Sequence, residues 1–173
     1  MEIKRVITGY LEENCYILIN NNDCIVIDPG DEFDKIYNQI KEYNIKGILI
    51  THHHFDHVGA LNDLLNYKNV KIYDYKLDEN EYIIDNFKFD IIKTPGHTND
   101  SVTFYFKDIN TMFTGDFIFK ESIGRTDFEN SSNIDMEKSI EKIKKYDKNI
   151  IIYPGHGDKT SLDYEMKNNI FLK

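Results

Sequence analysis

Short β-branched runs divided by polar turns open the chain. Ile3 to Thr8, Asn14 to Ile19 and Cys24 to Ile27 read as three strands, with Asn20 to Asp23 as the turn between the last two. Asp28-Pro29-Gly30 stops this meander, and the apolar period then lengthens from two to about 3.6. Phe33, Ile36, Tyr37 and Ile40 recur at that spacing, which predicts a helix with Asp31 as its N-cap. Ile45 to Ile50 is short and β-branched again and predicts a buried strand, so this part reads β-α-β. Gly59 and the spacing of Val58, Leu61 and Leu65 predict a second helix beginning near Val58.

The second half opens with strands at Val70 to Tyr73, Tyr82 to Ile84 and Phe87 to Lys93, the last two joined by a tight turn at Asp85-Asn86. Val102 to Phe106 and Thr111 to Thr114 form another hairpin across Lys107 to Asn110. A helix over Met136 to Lys145 follows from Asp135 as cap, an apolar face of Met136, Ile140 and Ile143, and two lysines at the negative end of its dipole. Ile150 to Tyr153 reads as a strand and Ser161 to Asn169 as a final helix.

Length and composition narrow the classes of function. A chain of 173 residues fits one domain, 1–173, large enough to bury a core without disulfides or structural metals. The net charge of −9, with no basic stripe, repels nucleic acid and anionic membranes, so neither is an expected partner. Charges run throughout Met1 to Glu13, and no apolar run approaches the roughly 18 residues of a membrane span. The expectation is a soluble, cytoplasmic protein. Cys15 and Cys24 lie inside apolar runs and read as reduced core residues.

The chemistry concentrates in Thr51-His52-His53-His54-Phe55-Asp56-His57, which holds four of the six histidines directly after a buried strand. If the backbone stays extended one step further, His52 and His54 point the same way and can grip one metal ion. Asp56 and His57 fall where the chain turns into a helix, so they can be aimed at a second ion. Imidazole and carboxylate suit zinc, iron and manganese alike. Taken alone, the tract also fits a His-rich surface loop. Both remaining histidines follow a Pro-Gly at a strand end, in Pro95-Gly96-His97 and Pro154-Gly155-His156, and Gly115-Asp116 ends another strand. Strand-end loops are where α/β folds gather their sites.

In chain order these pieces are His52-x-His54-x-Asp56-His57, Gly96-His97, Gly115-Asp116 and Gly155-His156. On them the sequence resembles the metallo-β-lactamase superfamily. Asn14-Cys15-Tyr16, Asp28-Pro29-Gly30, Thr94-Pro95-Gly96-His97-Thr98 and Ser122-Ile123-Gly124-Arg125-Thr126-Asp127 make it similar, within that superfamily, to the small glyoxalase-II-like hydrolases. The resemblance spans nearly the whole chain. It implies an α/β fold, an αββα sandwich of two mixed β-sheets flanked by helices. It also implies two divalent metal ions, zinc first with iron or manganese as alternatives. His52, His54 and His97 would hold one, Asp56, His57 and His156 the other, and Asp116 would bridge them. His53 falls on a variable position and is expected not to be a ligand.

The implied activity is thioester hydrolysis of a small-molecule acyl thiol such as S-lactoylglutathione. Asp56 and Asp116 would orient a metal-bridging hydroxide, so no separate side-chain base is needed. Asp28 matches a position that supports the site, and equally fits a plain turn Asp before Pro. Arg125 reads as an ion-pair or loop anchor ahead of a substrate contact. Two departures from the family pattern, at Asn99-Asp100-Ser101 and Asn168-Asn169, bear on loop shape. Full glyoxalase II enzymes add a C-terminal helical domain that holds glutathione; the 17 residues after His156 predict none here. The alternative is an oxidoreductase resembling the persulfide dioxygenases, which share a stretch like Gly124 to Phe128 and use one iron on the equivalents of His52, His97 and Asp116.

Overall fold

The computed structural model describes residues 1–173. Strands β1 (Glu2–Thr8), β2 (Glu13–Asn20) and β3 (Asp23–Ile27) form the antiparallel meander. Helix α1 (Phe33–Ile40) then leads to β4 (Asn44–Leu49), parallel to β3. Two short helices, α2 (Phe55–Val58) and α3 (Leu61–Tyr67), lead on to β5 (Ile72–Tyr73), parallel to β4. These five strands make one sheet in sequence order. The second sheet repeats the plan. β6 (Glu81–Ile84), β7 (Phe87–Lys93), β8 (Val102–Phe106) and β9 (Thr111–Gly115) run up and down. After a small hairpin, β10 (Ile118–Phe119) with β11 (Ser122–Ile123), helix α4 (Asn133–Ile143) returns the chain to β12 (Ile151–Pro154), parallel to β9. β13 (Thr160–Ser161) and α5 (Leu162–Asn168) complete it.

Why the central strands read as continuous apolar runs becomes clear from the packing, because β2, β3 and β9 are covered on both faces. Tyr16, Leu18, Ile25, Ile27 and Leu49 of the first sheet meet Phe89, Ile91, Phe104, Phe106 and Phe113 of the second in a central core. The intervening residues Cys15, Ile17, Cys24, Val26 and Ile48 point the other way, onto Ile36 and Ile40 of α1 and Leu64 of α3. Ile92, Met112 and Ile152 likewise face Met136, Ile140 and Ile143 of α4. Period-two alternation thus sorts one apolar run into two cores and yields helix, sheet, sheet, helix. Each fully buried Phe or Ile contributes about 1.5–3 kcal/mol over an exposed one. Both cysteines are free and buried. No helix is long and apolar enough to cross a membrane.

Four local expectations are corrected, and three two-residue strands are added. Asp31 is not the N-cap of α1: its Oδ1 accepts from the adjacent Glu32 N–H at 2.6 Å, and Glu32, at φ 49°, occupies the cap position without a side-chain cap bond. For α4 the cap is Ser132, whose hydroxyl accepts from the Asp135 N–H, so Asp135 lies in the first turn and the helix starts earlier. The helix expected near Val58 begins at Phe55 and is broken at Ala60, whose N–H turns to the carbonyls of Pro29 and Gly30. The strand expected over Val70 to Tyr73 shortens to Ile72–Tyr73. The β10–β11 hairpin and β13 were not expected, since strands of two residues carry no readable period.

Candidate metal centre

The parallel strands set up the site. β3, β4, β9 and β12 end on the same edge of the sandwich, and the residues just beyond them are Asp28, the His52–His57 tract, Asp116 and His156; His97 arrives from the loop after β7. The seven side chains expected from the sequence converge there in two groups. His52, His54 and His97 form one, and Asp56, His57 and His156 the other. In the first, His54 Nδ1 lies 3.1 Å from His52 Nε2 and 3.0 Å from His97 Nε2. In the second, His156 Nε2 is 3.3 Å from Asp56 Oδ2. Asp116 stands between them with one oxygen for each: Oδ2 is 3.5 Å from His97 Nε2, while Oδ1 is 3.3 Å from His57 Nε2 and 3.6 Å from His156 Nε2. Tetrahedral ligands about 2.1 Å from an ion stand about 3.4 Å apart, and these separations scatter around that value.

Proton accounting shows that the residues fit a cation. His97 Nδ1 donates to the Arg125 carbonyl at 2.9 Å, and His156 Nδ1 to the Leu11 carbonyl at 3.0 Å. His57 Nδ1 donates to Asp28 Oδ2 at 3.0 Å. Thr51 Oγ1 spends its own proton on Asp28 Oδ2, at 2.6 Å, so it accepts from His52 Nδ1 at 3.1 Å. Four rings therefore hold a proton on Nδ1 and aim Nε2 inward, the pattern by which outer hydrogen bonds fix metal-ligating histidines. In the first group three inward nitrogens then have at most one proton among them. In the second, His57 Nε2 and Asp116 Oδ1 are buried without a hydrogen-bond partner. Each such orphan costs about 1–3 kcal/mol, which a shared cation would offset.

The titration behaviour has the same origin. Burial opposes the charge on Asp116, yet His57, His156 and His97 outweigh it and hold the carboxyl below its usual range. Burial likewise opposes the charge on His57, but the Asp116 and Asp28 carboxylates raise that imidazole well above its ordinary value. His52 goes the other way, lowered by burial and then by the neighbouring histidines. Protons and metal ions compete for these nitrogens.

The groups open into a cavity of about 430 Å³. Leu11, Phe55, Phe119, Ile123 and Phe128 give it apolar walls around His54, Asp56, His97, Asp116 and His156. His53 is turned away: its Nδ1 pairs with Asp100 Oδ2 at 2.7 Å, which gives the Asn99-Asp100-Ser101 departure a local tie. Asp28 is buried and accepts from Thr51 N, Thr51 Oγ1 and His57 Nδ1, which is a supporting role. Arg125 makes a bidentate pair with Asp127, both bonds 2.9 Å, while its backbone carbonyl orients His97.

Sequence reasoning missed Leu11 and Glu165. Glu165 is fully buried and grips the β10–β11 hairpin: its carboxylate accepts from Glu121 N at 2.8 Å and from Asn169 Nδ2 at 2.9 Å, and Asn169 Nδ2 also donates to the Ser122 carbonyl. That hairpin supplies Phe119 and Ile123 to the cavity and leads straight into Arg125. Glu165→Ala is expected to lower stability by about 2–3 kcal/mol, because it strands buried donors, and to raise KM more than it lowers kcat. Glu165→Gln, which keeps an oxygen for Glu121 N, should retain most of both in thermal melts and steady-state assays.

Such a fold and candidate ligand set define a class of metal-dependent enzymes. The family model of the metallo-beta-lactamase superfamily matches residues 8–89 and 73–156, and the chain belongs to that superfamily. It is 30% identical to the probable metallo-hydrolase YqgX of Bacillus subtilis (strain 168), over 99% of this chain and 98% of the relative. It is 29% identical to the hydroxyacylglutathione hydrolase GloC of Haemophilus influenzae, over 99% and 98%. The crystal structure of BLEG-1 B3 metallo-beta-lactamase superposes with a TM-score of 0.95 at 27% identity, covering 99% of each chain.

Proposed function

We propose that this protein is a metal-dependent thioester hydrolase acting on a small-molecule acyl thiol. One observation carries the reading: apart from Arg125, every titratable side chain lining the cavity belongs to the seven converging residues. The cavity therefore holds no spare general acid or base. An amide needs its leaving nitrogen protonated, whereas a thiol with a pKa of about 8.5 leaves as thiolate unaided. A site built this way suits a thioester. The similarity to a hydroxyacylglutathione hydrolase points the same way.

His52, His54, His97 and Asp116 Oδ2 would hold one divalent ion, and Asp56, His57, His156 and Asp116 Oδ1 the other. Zinc is the first choice, with iron or manganese compatible with the same donors. When bound, such ions lower the pKa of water toward roughly 7 and polarise a carbonyl oxygen. The chain's own residues do the rest. Asp56 and Asp116 cancel part of the ions' charge and fix where a nucleophile is oriented. Asp28 holds His57 directly, and His52 through Thr51. The five apolar wall residues exclude bulk water and orient the acyl arm.

Free thiol is expected to appear when purified protein meets an acyl thioester, and elemental analysis should find two ions per chain. One iron per chain, with oxygen uptake and sulfite formation from glutathione persulfide, would mark the protein as a persulfide dioxygenase instead. A chelator is expected to lower the melting temperature, since an ion bound only to the folded state stabilises it by mass action. An unchanged melt would count against an occupied centre.

A further inference from the structure

Apolar side chains gather beside the cavity, Tyr10 and Leu11 on the turn between β1 and β2 and Phe55 at the start of α2. Tyr10 is 80% exposed, Phe55 62% and Leu11 43%, and the Tyr10 and Phe55 rings stack with centroids 6.3 Å apart. Phe55 and Leu11 line the cavity itself, as does Phe128, which is 40% exposed and packs against His54 and His97. Other exposed hydrophobics, such as Ile83 and Ile134, belong to elements elsewhere in the chain. Isolated ones are ordinary on a protein surface, whereas a contiguous apolar patch beside a cleft marks a ligand contact.

The turn from Gly9 to Glu12 is locked at both ends. Gly9 N–H donates to Glu32 Oε2 at 3.0 Å, and Glu12 N–H closes back on the Gly9 carbonyl at 3.3 Å. The Leu11 carbonyl accepts from His156 Nδ1. Through that bond the backbone that presents Tyr10 and Leu11 to solvent also orients a residue of the metal centre. On the far side of His54 and Phe128 lies a second basin of about 480 Å³, lined by polar residues that include Asn99, Glu129 and Asn130. A two-armed substrate reacting near His54 thus finds one apolar and one polar direction.

We propose that the Tyr10–Leu11–Phe55 rim is a binding subsite for an extended apolar acyl arm, so that the substrates are thioesters of aliphatic or aromatic acids larger than a two- or three-carbon acyl group. This rests on the thioester-hydrolase reading above. The polar basin is left to the thiol carrier. A small hydroxyacyl group leaves the rim in water, while each further methylene buried against it is worth about fourfold in transition-state binding.

The test is a series of acetyl, butyryl, hexanoyl and octanoyl thioesters of one carrier, N-acetylcysteamine, at fixed pH and metal content. The hexanoyl-to-acetyl ratio of kcat/KM is expected to be at least tenfold. Tyr10→Ser and Phe55→Ser should each lower that ratio at least threefold, and Tyr10→Phe should preserve it, because apolar area and not the hydroxyl makes the contact. Using a ratio removes any general effect of a substitution on the metal centre. A flat series with ready acetyl hydrolysis, or a ratio unmoved by Tyr10→Ser, would overturn the inference and leave the hydrolase reading standing. No thiol release from any member would overturn the hydrolase reading, and the inference with it.

Discussion

Asp116→Ala is expected to strip the protein of most of its metal and lower hydrolysis at least a thousandfold. Its two oxygens face different groups, Oδ2 toward His97 and Oδ1 toward His57 and His156, so under the proposed assignment one truncation would remove a ligand from both ions. Even an outer partner that only orients a ligand costs about ten- to a hundredfold in affinity, and a shared ligand should cost more. The loss also leaves His57 deeply buried without the carboxylate that helps hold its charge. His53→Ala is the control, because that ring sits in the same tract but pairs with Asp100 outside the centre. It should keep its metal, and because the ring also lines the polar basin assigned to the thiol carrier, any change in activity should fall on KM and not on metal content. Metal content by elemental analysis and kcat/KM on one thioester decide it. Equal losses in both variants would sink the ligand assignment.

A single methyl group at position 155 should do nearly as much damage without removing any ligand. A Cβ on Gly155 would lie 2.4 Å from Asp116 Oδ1 and 2.6 Å from His57 Cε1, closer than real Cβ atoms approach their neighbours. It would also meet the Gly115 backbone at 3.1 Å, so the loop has little room to back away. Gly155→Ala is therefore expected to push two proposed ligands of one ion out of place and weaken metal binding at least a hundredfold. Its stability cost is that of overpacking, about 1–3 kcal/mol. Gly157, two residues on, separates packing from backbone strain. Its φ is +75° and an added Cβ meets nothing within 4 Å, so alanine there should cost about 1 kcal/mol and leave metal affinity alone. Metal titrations and thermal melts on both variants distinguish the cases. Wild-type affinity in Gly155→Ala would mean that the two side chains do not act as ligands in their present positions.

The sequence by itself determined the layers and the cluster. Runs such as Asn14 to Ile19 show strands because both faces of a central strand are buried, and a period of two within them is enough to divide side chains between two cores. The converging residues were legible because His and Asp are rare at buried strand ends unless something holds them, and because His52 and His54 lie two apart on extended chain. What only the tertiary structure decided is how those side chains are aimed. His156 is oriented by the Leu11 carbonyl 145 residues away and His97 by the Arg125 carbonyl 28 residues away. A backbone carbonyl is the same atom in every residue and leaves no mark in a sequence. The division of the Asp116 oxygens between two groups, and the grip of Glu165 on the β10–β11 hairpin, are of this kind as well. At α1, Asp31 has the right side chain for a cap, but its carboxylate accepts from the adjacent Glu32 N–H while its own N–H donates to Thr8 of β1. Local pattern fixes which face of an element is apolar; hydrogen-bond partners are settled by whichever donors and acceptors the packed layers bring within about 3 Å.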